Sequence, residues 1–434
     1  MGRKFFIDRD TGDDSADGTS PDRAWQHIDR ASEMEYKPDM ALLLEGGQVH
    51  EGTLTVRGAG AEDAPIVISS YGGNGQPAII KEKDPDNKNK VAVRLLADYV
   101  TMRDLVMKDA RYAAVESYQT HHHITLEDMR LLHNAAGFRC KSSYATVRRC
   151  VLSSTLMADD SGDADDNGAF PLSFEPIDNY PIEHIRVYDN SFIGNKAKSK
   201  KFRRDGELGF YRSVKDVKVF GNYFDGNKTI MEWGGNGVRH VIEGIEFFDN
   251  TMLNNYGRWL FVNDPAGGFA VTPRRVHFYH NRFVDALNPN TPLFFAGTDE
   301  DWQELRLEQE FRLTRNIIYS RSTIANQKLT TAANLFWREG GGDIGFVPDA
   351  TDMVADPMFV DARAGDLRRL AGAPMPGAGV RRQPVAERVA APMMLRVENR
   401  AHLLDMYDVA EGSICYVKNE GSHYKRTHRG WMVA

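Results

Sequence analysis

Charged and aromatic side chains recur along the middle of the chain at positions that predict one shared surface. Short apolar runs with strand character follow a repeated turn, and each run carries a charged residue at a similar place. A surface with carboxylates, cations and aromatic rings suits a polysaccharide, because carboxylate pairs can protonate and attack a glycosidic bond. The charged residues of this predicted row are Glu116, Lys141, Glu175, Arg212, Glu232 and Asp264.

The spacing of the carboxylates predicts which of them act together. Stacked strands place carboxylates ~5 Å apart in neighbouring repeats and ~9.6 Å apart in alternate repeats. Glu232 with Asp264 fits the shorter spacing of a retaining hydrolase, and Glu175 with Glu232 lies near the upper limit for an inverting one. We therefore predict that Glu175, Glu232 and Asp264 are catalytic. The predicted substrate-binding residues are Tyr211, Arg212, Trp233, Arg258 and Trp259.

Two other interpretations of these residues stay open. A one-residue slip in the alignment would turn a side chain from the surface to the core, and the charges could serve only to solvate an outer strand face. A lyase would instead use Lys141, Arg212 or Arg258 as its base, beside a calcium ion. Calcium needs several oxygen ligands, and the spacing of the candidates is not that of an EF-hand and favours a solvated loop. Those candidates are Asp159, Asp160, Asp163, Asp165 and Asp166.

Two further polar runs are candidate binding sites. The run His121–His123 is predicted not to bind a metal, because consecutive strand residues alternate between faces and the three cannot converge. The basic run from Lys196 to Arg204 either holds an anionic polysaccharide or is a solvated loop. We predict no metal site and no cofactor, with calcium as the one alternative.

The element that must position this surface is a turn with a central asparagine, flanked by short apolar runs. A period of about 20 to 50 residues indicates a solenoid, and Asn tolerates the left-handed backbone of a sharp bend. No helical pattern of useful length interrupts the repeats, which predicts stacked coils of strands. Leu105, Met129 and Cys150 hold the same position earlier, so the stack of asparagines should start at Asn190. Its members are Asn190, Asn222, Asn250, Asn281 and Asn316, at intervals of 32, 28, 31 and 35 residues.

These repeats resemble the right-handed parallel β-helix of the pectate-lyase and phage-tailspike type. In that family, asparagine side chains stack at the bend between strands. Residues 4–31, with a strand, an Asp/Gly loop, Gly-Thr-Ser-Pro and a Trp before a short helix, are similar to its N-terminal entry. Residues 355–379, beginning Ala-Asp-Pro-Met-Phe-Val-Asp, resemble its closing motif. The resemblance implies an all-β fold: a right-handed parallel β-helix solenoid with an N-terminal capping helix and a small C-terminal β module.

The same features predict four segments along the chain. Residues 1–35 form an N-terminal strand and capping helix, and residues 36–380 form the β-helix. Residues 381–394 are a polar linker. Residues 395–434 form a small C-terminal β module that resembles modules near the ends of phage tail and fibre proteins.

Composition excludes several classes of protein. The net charge is −7, which gives no indication of a nucleic-acid binder. No long apolar run predicts membrane insertion, and Met1-Gly-Arg-Lys-Phe-Phe lacks the apolar core of a secretory signal. The three cysteines are too few for a disulfide framework.

The preferred functional hypothesis is a phage or phage-like particle spike that binds a bacterial capsular or surface polysaccharide, with or without cleaving it as a depolymerase. The resemblance implies a homotrimer on a virion surface, in contact with other particle proteins. The alternatives are a secreted polysaccharide lyase or glycoside hydrolase, and a non-catalytic β-helix adhesin. A fold of this type hosts all three, so the fold alone does not choose.

Overall fold

The chain folds into coils of short strands that stack into three long parallel sheets, in a computed structural model. This confirms the predicted all-β class and the parallel β-helix. The structure describes residues 2–433 except 82–90, 154–169, 178–179, 196–205, 228, 235–239, 256–259, 263–270, 286–292, 297–306, 326–327, 382–393, 398–413, 418–421 and 428–429.

Each coil passes from sheet 1 to sheet 2 and then to sheet 3 before it returns to sheet 1. Sheet 1 contains β1 Lys4–Ile7, β3 Ala41–Glu45, β6 Ile66–Tyr71, β9 Val100–Arg103, β12 His122–Glu127, β15 Ser143–Arg148, β18 Ile182–Tyr188, β21 Val214–Phe220, β24 His240–Phe248, β27 Val271–Tyr279, β30 Phe311–Thr314 and β32 Thr330–Ala332. Sheet 2 contains β4 Val49–Glu51, β7 Ala78–Lys81, β10 Leu105–Lys108, β13 Arg130–Leu132, β16 Val151–Ser153, β19 Ser191–Ile193, β22 Tyr223–Asp225, β25 Thr251–Leu253, β28 Arg282–Asp285, β31 Ile317–Ser320, β33 Leu335–Arg338 and β34 Met353–Val354. Sheet 3 contains β2 Glu35–Tyr36, β5 Leu54–Ala59, β8 Val91–Asp98, β11 Ala113–Ser117, β14 Ala136–Cys140, β17 Phe170–Phe174, β20 Gly206–Tyr211, β23 Thr229–Gly234, β26 Leu260–Val262 and β29 Phe294–Ala296.

Helices are few and short among the described residues. The α-helices are α1 Ile28–Ala31 and α2 Leu307–Glu310, and the 3₁₀ turns are Pro21–Arg23 and Gly73–Gly75. None of the described helices is long and apolar enough to cross a membrane.

The interior of the solenoid is a continuous apolar column. On β18, Ile185 and Val187 point inward at alternate positions, as the period of a strand requires. Equivalent side chains then stack from coil to coil, and the rings of Phe192 and Phe224 lie face to face with centroids 4.5 Å apart. Each coil therefore buries its apolar face against the coils above and below, which is how a solenoid obtains its core.

The corner between sheets 1 and 2 carries the predicted asparagine ladder. The Nδ2 of Asn222 donates to Oδ1 of Asn250 at 2.9 Å, and Asn250 donates to Asn281 at 3.1 Å. The backbone N–H of Cys150 donates to Oδ1 of Asn190 at 2.9 Å, so the ladder starts at Asn190 as predicted. It continues beyond the predicted repeats through Asn334 to Asp352.

The ends of the solenoid carry the remaining elements. Near the N-terminus, the Trp25 ring stacks on Phe5 at 5.3 Å and Ile28 of α1 is buried; the capping role of this segment stays a prediction. After β34, the antiparallel hairpin β35 Phe359–Asp361 and β36 Asp366–Arg369 packs on the outside of sheet 2 through Leu367. The closing motif thus covers one outer face of the coils.

The last described strands form a sheet of their own. In it β37 Met394–Val397 pairs parallel with β38 Ile414–Val417, and β39 Ser422–Thr427 and β40 Gly430–Val433 follow antiparallel. The predicted division at residues 381, 394 and 395 lies largely outside the described residues and stays a prediction.

Candidate functional site

The outer face of sheet 3 carries a group of buried and half-buried charges in the coils of β11, β14 and β17. On β14, Phe138 and Cys140 point into the core, so alternation turns Arg139 and Lys141 outward. Glu116 of β11 is level with Arg139, and Glu175 follows the end of β17. We call Glu116, Arg139, Lys141 and Glu175 the charged cluster.

The two cations of the cluster pair with carboxylates on opposite sides. Nζ of Lys141 lies 2.6 Å from Oε1 of Glu116 on one neighbouring coil, and Nη2 of Arg139 lies 2.6 Å from Oε2 of Glu175 on the other. Arg139 of β14 and Lys141, the residue after this strand, therefore join the two acids. These distances are those of charge-assisted hydrogen bonds.

Neutral side chains complete both ion pairs. The hydroxyl of Tyr118 donates to Oε2 of Glu116 at 2.6 Å, and Ser173 donates to Oε1 of Glu175. The guanidinium of Arg139 lies 4.4 Å from the ring centre of Tyr112, a cation–π contact.

The surroundings shift the acidity of these groups. Burial, and then the hydrogen bond to Glu116, raises the pKa of Tyr118 to about 12, so its phenol holds its proton at neutral pH. Burial alone would lower the pKa of Arg139, but the charge of Glu175 outweighs it and raises that pKa. Burial raises the pKa of the Tyr112 phenol. The tyrosines are therefore proton donors and Arg139 is a fixed cation.

The cluster is mostly removed from solvent, but one end is accessible. Glu116 is 2% exposed, whereas Lys141, Glu175 and Tyr118 are half-buried. These three lie where the coils turn from sheet 3 to sheet 1, and Tyr180 on the same turn is 70% exposed. A ligand would reach the cluster from this turn.

Arg139 retains unused hydrogen-bonding capacity. Within the part of the chain that the structure describes, its Nε and Nη1 are buried without a hydrogen-bond partner, and so is Nε of Arg94 on β8. Arg94 is level with Glu116 in the strand register. Buried polar groups are normally paired, so such donors need an explanation.

The structure corrects the predicted row of charges. In the observed register Glu116 is level with Arg139, and Lys141 lies two residues further along the strand, next to Glu175. The predicted alignment of Glu116 with Lys141 and Glu175 is therefore wrong by two residues. Because two residues keep a side chain on the same face, Glu116, Lys141 and Glu175 still meet.

The other predicted residues that the structure describes have different surroundings. Glu232 is buried on β23, level with Gly209. Tyr211 is buried with its ring 5.5 Å from Phe170, and Arg212 donates from Nη1 to the carbonyl oxygen of Pro176 at 2.7 Å. The structure thus groups Glu175 with the cluster, whereas Glu232 lies three strands from β14.

The expected outward position of Trp233 is wrong. Its side chain has no exposed surface and stacks in the core on Phe311, with ring centres 5.7 Å apart. Trp233 is level with Phe210, an inward position, so the alternation of the strand turns the indole inside. A core residue cannot stack on a sugar.

Several predictions lie outside the described residues. These are Asp264, Arg258 and Trp259, the calcium candidates Asp159 to Asp166, and the basic run Lys196 to Arg204. Calcium binding therefore stays a prediction. Among the described residues, no group of three His, Cys, Asp or Glu side chains is placed to hold a metal.

Sequence reasoning missed Arg94, Arg139, Tyr112 and Tyr118. The signal in the sequence is two cations at alternate positions of an otherwise apolar run, Arg139 and Lys141. This alternation places both on the outer face of one strand.

Comparison with solved structures gives the same fold. The chain superimposes on a rhamnogalacturonan lyase with a TM-score of 0.53 and 14% identity, covering 87% of this chain and 100% of that one. It superimposes on an endo-xylogalacturonan hydrolase from Aspergillus tubingensis with a TM-score of 0.50 and 9% identity, covering 80% and 100%. No protein-family model matches the sequence, and no curated protein matches it. These likenesses establish the parallel β-helix.

Proposed function

We propose that this protein binds an acidic polysaccharide on the outer face of sheet 3 and cleaves it at the charged cluster. The observation that carries the proposal is the pair of cations at the end of β14, Arg139 and Lys141, each held against a glutamate of a neighbouring coil. Buried ion pairs add little to stability, because desolvation offsets their attraction. Ionisable groups with shifted pKa values collect at functional sites.

The unused donors support an anionic substrate. A guanidinium presents a planar fork of N–H groups that matches a carboxylate. Arg139 and Arg94 keep buried N–H groups without partners among the described residues, and Lys141, which pairs with Glu116 at 2.6 Å, lies at the accessible end. A uronate carboxylate that enters from this end would be attracted by Lys141 and by the guanidinium charge of Arg139 behind it.

The cluster has the groups that a β-elimination needs. Arg139 and Lys141 would offset the charge that develops on the sugar carboxylate. Glu175 would accept the proton from the carbon beside that carboxylate, the bond to the leaving sugar oxygen would break, and Tyr118 would donate a proton to that oxygen. Glu175 lies 2.6 Å from the Arg139 guanidinium, and the raised pKa of Tyr118 keeps its phenol protonated. Tyr118 thus has the protonation state that a proton donor requires.

The named activities of the structural neighbours agree with this proposal. One is a lyase and the other a hydrolase, and both are named for galacturonan-type polymers. At their low identity they share only the fold with this chain, so activity and substrate rest on the site.

Hydrolysis by Glu175 and Glu232 is the second candidate. β17 and β23 are two strands apart in sheet 3, and Glu232 is level with Ser173, two residues before Glu175. Two strand spacings of ~4.8 Å and two residues of ~3.3 Å give roughly 12 Å, which exceeds the separation of an inverting pair. The buried position of Glu232, at 1% exposed, favours the elimination instead.

The test is a panel of acidic and neutral polysaccharides incubated with the purified protein. Elimination leaves a double bond conjugated with the carboxylate, which absorbs in the ultraviolet, and creates one new reducing end per cut. Hydrolysis creates reducing ends without that absorbance. The proposal is supported if ultraviolet absorbance and reducing ends increase together on acidic polymers and neither increases on neutral ones. It is contradicted if the protein neither cleaves nor binds any polymer of the panel.

The biological setting stays a prediction. A bacterial capsular or surface polysaccharide as substrate, a homotrimer, contact with other particle proteins and a virion location are implied only by the sequence resemblance. Light scattering of the purified protein separates the alternatives, because a stable trimer favours the particle spike and a monomer favours a secreted enzyme.

A further inference from the structure

A column of stacked rings stands where the strands of sheet 1 begin, beside the charged cluster. It consists of Tyr99, His123, Tyr144 and His184, which we call the ring column. The ring centres of Tyr99 and His123 are 4.4 Å apart, those of His123 and Tyr144 also 4.4 Å, and those of Tyr144 and His184 4.5 Å. One ring therefore comes from each of four successive coils.

The column extends over the same coils as the charged groups of sheet 3. Tyr99 follows the strand of Arg94, His123 follows that of Glu116, Tyr144 follows Lys141 and His184 follows Glu175. Tyr144 is three residues after Lys141, at most about 10 Å along an extended chain. The cluster and the column are thus two sides of one turn, coil by coil.

The fold itself does not require rings at this position. All four residues have a left-handed backbone, with φ between 52° and 62°. The register continues the same left-handed position through Asp216, Gly244 and Arg275 in the later coils, where no ring stands. The coils accept an acid, a glycine or a base there, so the rings are confined to the coils of the cluster for another reason.

The geometry determines what the column can offer to a ligand. Stacking hides the ring faces between the members, so a sugar cannot lie flat on them. Tyr144 is the most exposed member of the column, at 42%. Nδ1 of His123 lies 2.8 Å from His122 and Nδ1 of His184 lies 2.5 Å from Asp216, so each of these histidines has one ring nitrogen left for a ligand. Polar edges repeated at the spacing of the coils can exchange hydrogen bonds with a row of hydroxyl groups.

We propose that the ring column is the second wall of the substrate groove and binds the hydroxyl groups of a polysaccharide that runs along the coil axis past the charged cluster. This inference rests on the proposed function. It assigns substrate binding, but no step of the chemistry, to Tyr144 and His123. The polymer would meet one ring edge for each coil that it crosses.

The test uses Tyr144→Phe, which keeps the stack and removes only its polar edge, and His123→Phe, which keeps a ring but also removes the contact with Nδ1 of His122. Tyr144→Phe and His123→Phe retain a ring at each position, and the matched control Tyr279→Phe removes a phenol from a different outer stack, Tyr188–Phe220–Phe248–Tyr279. For the polymer that the wild type cleaves, we expect KM to rise roughly fivefold to tenfold in Y144F, with kcat unchanged, because about one hydrogen bond is lost. The control should keep the wild-type KM.

The outcomes separate the inference from the function on which it rests. Cleavage by the wild type with an unchanged KM in both Y144F and H123F overturns the ring column as a wall of the groove and leaves the proposed function standing. If the wild-type protein cleaves no polymer of the panel, and no polymer in the gel slows its migration, both the ring column and the proposed function are overturned. A raised KM in Y144F that Y279F does not share supports the inference, since a merely structural stack would not respond to loss of a single hydroxyl.

Discussion

The asparagine ladder and the charged cluster both stack polar side chains from coil to coil, yet they are built on opposite principles. In the ladder, one neutral side chain repeats, and each amide donates to the next, as Asn222 does to Asn250 at 2.9 Å. In the cluster no residue type repeats at one position in neighbouring coils, and the members are charged and pair across coils, as Arg139 does with Glu175 at 2.6 Å.

The difference separates structural from functional stacking. A repeated amide satisfies the backbone groups of its corner and needs nothing from outside the fold. The cluster leaves N–H groups of Arg139 unpaired within the described part of the chain and has an accessible end. The ladder should therefore control stability, and the cluster should control activity.

The largest expected effect is on catalysis, from Glu175→Gln. Glutamine keeps an oxygen that can accept from Arg139 Nη2, so the fold is retained, but it cannot take a proton. The rate of polymer cleavage should fall by roughly 10²-fold to 10⁴-fold, the usual contribution of a general base. The measurement is the rate of formation of new reducing ends, with circular dichroism to confirm folding.

Glu246→Gln is the matched control for that substitution. Glu246 lies on the outer face of sheet 1, paired with Lys218 at 3.3 Å and with the Tyr279 hydroxyl at 2.7 Å. It is a half-exposed ion pair of small energetic value. Equal loss of activity in both variants would remove the distinction between the cluster and any other outer ion pair.

The second effect is on stability, from Asn250→Ala in the middle of the ladder. Oδ1 of Asn250 accepts from the backbone and side chain of Asn222, and its Nδ2 donates to the carbonyl oxygen of Val219 at 2.9 Å. Alanine leaves these buried groups unpaired, at about 1–3 kcal/mol each. We expect the free energy of unfolding to fall by about 3 kcal/mol or more, measured by urea denaturation.

The folded fraction of Asn250→Ala should keep its catalytic rate, because the ladder does not contact the cluster. Glu246→Ala, in the same coil, gives the control for an outer substitution and should cost under about 1 kcal/mol. A ladder variant with normal stability and lost activity would reverse the roles assigned to the two regions.

The ladder was predictable from the sequence because its signal is repetitive. A single Asn at intervals of 28 to 35 residues, between apolar runs, is enough to predict the corner, and Cys150 marks the coil before the first amide. The extension to Asn334 and Asp352 was missed because the last intervals are only 18 residues, outside the earlier spacing.

The cluster was only partly predictable because it does not repeat. Glu175 and Lys141 were placed near one another, but the register was wrong by two residues, since the loops before each strand of sheet 3 differ in length. Trp233 shows the same uncertainty in register. A shift of the strand alignment by one residue moves its ring from the surface to the core, where the structure has it. Arg139 was missed because the pair of cations Arg139 and Lys141 occurs once and has no repeat to identify it.

The third effect concerns pH and applies to the whole fold. Burial lowers the pKa of His50, His123, His277 and His280 below the ordinary value of 6.5. The folded state therefore binds fewer protons than the unfolded state below pH 6.5, so stability is full above that value and falls as the pH decreases through it. The melting temperature should drop on acidification, by less than in Asn250→Ala.

Carboxylates with a lowered pKa also stabilise the folded state less as the pH decreases, but at lower pH values than the histidines. Burial would raise the pKa of Asp216, but its hydrogen bonds with Arg186 and His184 outweigh this and lower it below 3.8. Its contribution is present above pH 3.8 and is lost as the pH falls through the lowered value. A melting temperature that increases as the pH is lowered from neutral to below 6.5 would contradict the effect assigned to the buried histidines.

The smallest expected effect comes from Tyr118→Phe. This substitution tests whether Tyr118 takes part in catalysis or only holds Glu116 in position. The phenol donates to Glu116 and, in the proposed elimination, to the leaving oxygen, whereas removal of the hydroxyl leaves the ring and the Lys141 pair in place. If Tyr118 donates the proton, kcat should fall at least about tenfold on a polymer with a poor leaving group. On a synthetic uronide with an activated leaving group, which departs without a proton, kcat should stay close to wild type. An equal loss on both substrates would mean that Tyr118 only positions Glu116, and the proton donor would then have to be sought elsewhere along the accessible end of the cluster.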